Sequence, residues 1–112
     1  MPLNDNLRES DWKYMQSIKD ELLNELCSRI NEGAAALATG DEGTPHERYL
    51  KLYKYIQEQD DVIAACFNDW RRTTIHWKMV LLRQRDLMRD EHVANLSERA
   101  RKWLEQAEDL QL

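Results

Sequence analysis

The chain has 112 residues, of which 42% are hydrophobic and 33% are charged, and its formal net charge at pH 7 is −5. This composition argues against a disordered chain and against a membrane protein, and the length fits one domain with a modest core. Three glycines and two prolines are few for a β-rich fold, which needs frequent turns.

The first predicted helix covers residues 10–39 and follows a polar lead-in at residues 1–9. Ser10 is a candidate N-cap, and the charge of Asp11 suits the positive end of a helix. Apolar residues then recur every three or four positions, as is typical of an amphipathic helix with one buried stripe. The members of this stripe are Trp12, Met15, Ile18, Leu22, Leu26 and Ile30. Residues 40–44 form the only clear loop.

The second predicted helix, residues 45–88, is the central element of the chain. Thr44 and Glu47 form a capping box around Pro45, which favours a first helical position. Beyond Pro45 the sequence contains neither proline nor glycine. Residues recurring every seven positions keep one ridge of a helix facing one partner, and this ridge consists of Tyr49, Ile56, Ile63, Trp70 and Trp77. We therefore predict a continuous helix, with a break near Asp60 as the main alternative and Thr73 and Thr74 as a second weak point.

The third predicted helix covers residues 91–110. Its apolar repeat is two residues out of step with the ridge of the second helix, because that ridge would continue at residue 91 whereas the new repeat begins at Val93. One straight helix cannot keep both repeats facing the same partner. The chain should therefore turn between Arg85 and Glu91, with Asp90 as the new N-cap, and Asn95 or Ser97 could restart the helix.

These elements predict an all-α fold: a single domain with three antiparallel helices and one long central helix. A continuous helix at 45–88 would be ~66 Å long, whereas a compact chain of this size has a radius of gyration near ~13 Å. The first and third helices should therefore pack along its front and rear halves, in a layer two helices thick. Such a layer leaves apolar surface exposed, so we expect a second copy to cover it in a dimeric helical bundle.

The segment 71–89 concentrates positive charge, with six basic residues against Asp86 alone. Residues 1–61, by contrast, contain seven basic and thirteen acidic residues. Trp and Arg are the residue types most enriched in binding hot spots. The candidate partner-binding or dimer-binding residues are Trp70, Arg71, Arg72, Trp77, Lys78 and Arg85.

Three interpretations of this segment remain open. The favoured one places Trp77 in the core or in a dimer interface, and the acidic first helix neutralises the basic residues. In that case truncation of Trp77 to alanine should cost ~3–5 kcal/mol. The segment could instead dock a protein with an acidic surface. As a less favoured alternative, residues 71–89 bind nucleic acid, although the chain as a whole is acidic.

No pattern of catalytic or metal-binding residues stands out. His46, His76 and His92 lack ligand spacing, so we predict no metal and no cofactor. Cys66 lies on an apolar stripe, where cysteine acts as a small hydrophobe, and an enzyme built around His76 and Cys66 is an unfavoured alternative. Two cysteines without a Cys-x-x-Cys pair, no signal-peptide pattern and no long apolar run predict a cytoplasmic protein without membrane contact. We predict a non-catalytic helical interaction module (an adaptor, regulator or assembly factor) that acts as a homodimer.

Overall fold

The computed structural model describes residues 6–110 and, within them, contains five helices and no strand. The helices are α1 (Glu9–Thr39), α2 (Pro45–Phe67), α3 (Ile75–Gln84), α4 (Asp90–Val93) and α5 (Glu98–Leu110). The all-α class predicted from the sequence is confirmed. The prediction of three helices is wrong, because the second and third predicted helices are each interrupted.

Helix α1 matches its predicted range within one residue. Its N-cap is Arg8 rather than Ser10, and the Arg8 backbone N–H donates to the Asp11 carboxylate at 2.8 Å. Helix α1 begins there because this carboxylate accepts a hydrogen bond from one of the unpaired N–H groups at the helix start. All six residues of the predicted stripe are buried. The part of the predicted lead-in that precedes residue 6 lies outside the described residues.

Helix α2 ends at Phe67, and the predicted continuous helix over residues 45–88 is therefore wrong. The break lies at residues 68–74, not near Asp60. Asp69 has a φ of 55°, a left-handed conformation that Asp tolerates better than most residues. The Thr74 hydroxyl donates to the Asp69 carbonyl and accepts from the Arg71 backbone N–H. A side chain can thus satisfy backbone groups that a continuous helix would have paired.

The predicted turn between Arg85 and Glu91 is confirmed, since α3 ends at Gln84 and α4 begins at Asp90. Arg29 of α1 stabilises this turn: its guanidinium donates to the Arg85 and Asp86 carbonyls, both at 2.8 Å. A second interruption separates α4 from α5, so the predicted helix over residues 91–110 is also not continuous. The Ser97 hydroxyl accepts from the Ala100 N–H at 3.2 Å, which confirms Ser97 as a restart point.

The core occupies one end of an elongated molecule. Its largest fully buried side chains come from α1, from the end of α2, from α3 and from the segments that follow α3; they are Asp11, Met15, Leu22, Cys66, Ile75, Met79, Leu82, Leu87, Met88 and Leu104. The molecule measures 53 × 26 × 21 Å, and its radius of gyration of 17.0 Å exceeds the ~13 Å of a compact chain of this length. Much of the chain therefore projects beyond the core.

The projecting part is a hairpin formed by the C-terminal half of α1 and the N-terminal half of α2. The two helices run antiparallel, because Gly33 meets Tyr55 while Ala38, further along α1, lies beside Tyr49, earlier in α2. Every residue from 31 to 65 keeps part of its surface exposed. We call the loop end of this hairpin, residues 40–44, the tip, and the end that joins the core the base.

Candidate functional site

Most of the exposed large apolar side chains of the described chain lie along α2 in the hairpin. Tyr49, Tyr53 and Ile56 are 59%, 55% and 38% exposed, and their spacing of four and three residues places them on one side of the helix. Ile63 continues the same row one heptad after Ile56 and is half-buried. We call the row Tyr49, Tyr53, Ile56 and Ile63 the hairpin face. Tyr49 borders α1 at Ala38, whereas the contact of Tyr55 with Gly33 of α1 lies on another side of α2.

Burial increases steadily along the hairpin face towards the base. Phe67, four residues after Ile63, is only 5% exposed and stacks on Trp70 with ring centroids 5.6 Å apart. The row is therefore an apolar ridge, interrupted by the exposed Asp60 between Ile56 and Ile63, whose lower end the core covers. Its upper end, at Tyr49 and Tyr53, has no covering element among residues 6–110. The sequence-based ridge Tyr49–Ile56–Ile63 was thus recognised correctly as an apolar row, but its upper part is exposed.

Helix α1 contributes small side chains beside the hairpin face. Ala38 lines a shallow groove with Pro45, Tyr49 and Leu52. Ala34 is half-buried and precedes Ala38 by one helical turn, so the two alanines share one side of α1. Small residues here let another helix approach α1 closely. The hairpin therefore offers a broad, mostly apolar surface two helices wide.

At the base, the hairpin face ends in a basic and aromatic groove of about 490 Å³. The residues that line it are Trp12, Trp70, Arg71, Arg72 and Thr73. The ammonium group of Lys19 lies 5.6 Å from the ring centroid of Trp70, within reach of a cation–π interaction. The buried Nε1 atom of Trp70 has no hydrogen-bond partner among the described residues. Three of the six predicted site residues, Trp70, Arg71 and Arg72, therefore lie together.

The other three predicted site residues lie elsewhere, because the break at residues 68–74 ends the heptad register. Trp77 and Lys78 belong to α3, and Arg85 is the residue that follows it. Trp77 is 56% exposed, so it does not lie in the core, and the other half of the prediction, a dimer interface, stays a prediction. Its ring makes an edge-to-face contact with Trp103 of α5 at 6.2 Å. Together with Leu110, these rings line a separate small groove of about 190 Å³.

Most of the positive charge in the segment 71–89 is balanced within the chain. Arg72 pairs with Glu9 and Arg89 with Glu25, both acids of α1, as the sequence-based interpretation expected. Arg83 is held most firmly, because its guanidinium contacts the Glu108 carboxylate at 2.6 Å and the Asp90 carboxylate at 3.1 Å. The remaining pairs are Arg71 with Asp69, and Lys78 with the Ala65 carbonyl. Of the six basic side chains of this segment, all within the described range, only that of Arg85 has no such partner.

Two buried polar links fix the helices that form the base. Asp11 is 1% exposed, and its carboxylate accepts from the Ser97 backbone N–H and from the Ser97 hydroxyl, both at 2.7 Å. His92 is 8% exposed and lies 2.6 Å from the Glu21 carboxylate, while its Nδ1 accepts from the Arg89 N–H. These contacts join residues more than 70 positions apart in the chain. The sequence showed Asp11 and Ser97 only as helix-start residues, and no local pattern pairs them.

The residues of the alternative enzyme hypothesis have surroundings that suit packing. Cys66 is 1% exposed, and burial raises the pKa of its thiol, which lowers the fraction of reactive thiolate. His76 packs edge-to-face on Trp103 at 5.5 Å, and burial lowers the pKa of its imidazole. Among residues 6–110, no group of three or more His, Cys, Asp or Glu side chains is arranged to hold a metal ion.

Comparison with protein-family models, with curated proteins and with solved structures gave no match for this chain. No helix in the described part of the chain is long and apolar enough to cross a membrane.

Proposed function

We propose that this protein is a non-catalytic helical interaction module that acts as a homodimer through the hairpin face. The observation that carries the proposal is the uncovered apolar ridge: Tyr49 and Tyr53 are more than half exposed on a helix whose lower end is buried. Scattered exposed apolar side chains are ordinary, but a contiguous row on one side of a helix is typical of an interface.

The architecture of the hairpin supports a second copy as the covering element. Two helices alone cannot enclose a core, and no residue from 31 to 65 is buried. Two hairpins packed face to face would form a four-helix cross-section, in which the row of each copy is covered by the other. The interface would be isologous, because each copy contributes the same surface.

The exposed area is of the right order for such an interface. Tyr49, Leu50, Tyr53 and Ile56, at 59%, 50%, 55% and 38% exposure, present on the order of 400 Å² of side-chain surface. The alanine side of α1 and the groove at the base extend this surface. A stable interface of standard size takes ~800 Å² from each partner, of which these four side chains supply about half.

The proposal can be tested by placing a charge on the hairpin face. The wild-type chain should sediment as a dimer at micromolar concentration, whereas Tyr53→Glu should sediment as a monomer that remains helical. The matched control is Ala35→Glu, which adds the same charge to an exposed outer position of α1 in the same hairpin. A monomeric wild type at all accessible concentrations would refute the homodimer, and equal behaviour of the two variants would remove the hairpin face from the interface.

The proposal includes a role for the protein as an adaptor, regulator or assembly factor. It also includes a partner protein with an acidic surface. The nucleic-acid alternative depends on residues 71–89, where five of the six basic side chains are already engaged inside the chain. No feature of the described surface favours it over the dimer. A gel-shift assay at low salt, where phosphate contacts are strongest, would test it directly.

A further inference from the structure

We propose that the two copies lie antiparallel, related by a twofold axis that crosses α2 near Ile56. The tip of each hairpin then meets the basic groove at the base of the other. This inference rests on the homodimer proposed above and adds the arrangement of the copies, which the apolar surface alone leaves open.

The two ends of the hairpin face carry opposite charge. The tip and the first turn of α2 carry three acids, Asp41, Glu42 and Glu47, which exceed by one the basic residues beside them, Arg48 and Lys51. The base has Lys19, Arg71 and Arg72 around the Trp70 ring, and because Arg71 pairs with Asp69 and Arg72 with Glu9, it keeps an excess of one positive charge. In a parallel dimer the acidic tips of the two copies would face each other, and so would their two basic grooves. In the antiparallel dimer each acidic tip faces a basic groove, so electrostatic complementarity selects the antiparallel arrangement.

The position of Asp60 also favours the antiparallel arrangement over the parallel one. It is exposed and lies within the hairpin face, four residues after Ile56 and three before Ile63. A parallel dimer would place the two Asp60 carboxylates opposite each other in an otherwise apolar contact, where like charges are costly. In the antiparallel dimer, whose twofold axis crosses α2 at Ile56, Asp60 of one copy lies opposite Leu52 and Tyr53 of the other copy. The phenol O–H of Tyr53 is a donor that a carboxylate can accept.

The dimensions of α2 suit this arrangement. Ile56 lies eleven residues from each end of the helix, Pro45 and Phe67. Each end is therefore ~17 Å from the axis along the helix. A tip that continues a few residues beyond Pro45 reaches the level of Trp70, where the groove of about 490 Å³ opens. The buried Trp70 Nε1 has no hydrogen-bond acceptor in the described chain. The proposed dimer brings the acidic tip of the other copy to this groove.

Cysteine cross-linking distinguishes the two arrangements. The background is Cys27→Ser, which removes the half-buried native thiol, while Cys66 is buried and unreactive. In the antiparallel dimer, the cysteine of Ile56→Cys lies beside the same cysteine of the other chain. This variant should therefore form a disulfide-linked dimer on mild oxidation. Tyr49→Cys should not, because its two copies would be ~21 Å apart along the helix axis. Mixing Tyr49→Cys with Ile63→Cys chains should give the mixed cross-linked dimer, since the two positions are equally far from the axis on opposite sides.

Charge reversal gives an independent readout. Asp41→Lys/Glu42→Lys should weaken dimerisation about tenfold, because it places positive charge against the basic groove. The control Glu58→Lys/Glu105→Lys makes the same change in net charge at exposed acids of α2 and α5 outside the proposed contact. It should leave the dimer dissociation constant within about twofold of the wild-type value.

The outcomes separate this inference from the function on which it rests. A monomer at every concentration refutes the homodimer itself. A dimer in which Tyr49→Cys and Ile63→Cys each cross-link to their own copies is parallel, which overturns the antiparallel arrangement and leaves the homodimer standing. Equal dissociation constants for the two charge-reversed variants would likewise overturn the contact between the tip and the base.

Discussion

The phenol of Tyr55 on α2 occupies the space where a side chain at Gly33 on α1 would begin. A Cβ atom built at Gly33 would overlap the Tyr55 Oη and lie 2.7 Å from its Cζ. The absence of a side chain at Gly33 thus lets the two helices of the hairpin approach closely at the point where the core ends. Gly33 therefore serves as a packing position inside α1.

The first prediction follows from this contact. Gly33→Ala in a helix interior would ordinarily stabilise by ~1 kcal/mol through helix propensity. Here the added methyl group displaces the Tyr55 ring, so we expect no gain or a net loss of up to ~2 kcal/mol. In a Tyr55→Ala background the same substitution should recover the ordinary gain. Urea unfolding of the four variants gives the coupling energy, and the same effect of Gly33→Ala in both backgrounds would contradict the contact.

The second prediction concerns the buried carboxylate of Asp11. Asp11→Ala leaves the Ser97 N–H and hydroxyl without their acceptor and removes the link between the starts of α1 and α5. We expect a loss of ~3 kcal/mol of unfolding free energy, measured by urea denaturation. Ser97→Ala should cost less, ~1 kcal/mol, because the carboxylate keeps two backbone donors. The exposed Asp20 of the same helix supplies the control, and an equal effect of Asp20→Ala would refute a special role for Asp11.

The third prediction concerns Trp77, for which sequence and structure lead to different expectations. Truncation of a tryptophan in the core to alanine would lower the free energy of unfolding by ~3–5 kcal/mol. Because the side chain is 56% exposed and its main partner is the Trp103 ring, Trp77→Ala should cost only ~1 kcal/mol. Met79→Ala, at a fully buried position two residues later, should cost ~2–5 kcal/mol. Thermal unfolding at two protein concentrations tests both, and a large, concentration-dependent loss for Trp77→Ala would place Trp77 in an interface.

The fourth prediction is a pH dependence that arises from His76. Burial lowers the pKa of its imidazole in the folded chain, so the unfolded chain binds a proton more readily. Stability from this group is therefore fully present above the unfolded pKa of ~6.5 and declines as the pH falls through it. The wild type should lose more unfolding free energy between pH 7.5 and pH 5.5 than His76→Gln. Parallel pH profiles for the two chains would show that His76 does not contribute.

The sequence predicted local features with more success than long-range ones. The capping box at Thr44 and Glu47 is confirmed, with contacts of 3.0 and 3.1 Å, because all its partners lie within three residues. The turn after Gln84 is confirmed because a change in apolar phase is visible in the sequence. The continuous second helix is wrong because the hydroxyl of Thr74 and the left-handed Asp69 stabilise a break that apolar periodicity does not reveal.

The sequence likewise predicted one part of the candidate site correctly and another part wrongly. The sequence identified the apolar row Tyr49–Ile56–Ile63 and the cluster Trp70–Arg71–Arg72, but it extended the row through Trp77 in one register. That register depended on a continuous helix, so the break separates Trp77, Lys78 and Arg85 from the rest. The predicted ridge did not include Tyr53, which is 55% exposed in the hairpin face.

By itself the sequence determined that the chain is helical, where α1 begins and ends within one residue, and which residues share a side of each helix, because these properties depend on neighbours three or four positions away. Only the tertiary structure decided which side is covered. Phe67 and Tyr49 occupy the same side of α2, yet one is 5% and the other 59% exposed, because α3 to α5 pack only against one end of the hairpin. Burial depends on contacts between residues far apart in the chain, such as Asp11 with Ser97 and Arg29 with Arg85, and no local pattern encodes those contacts.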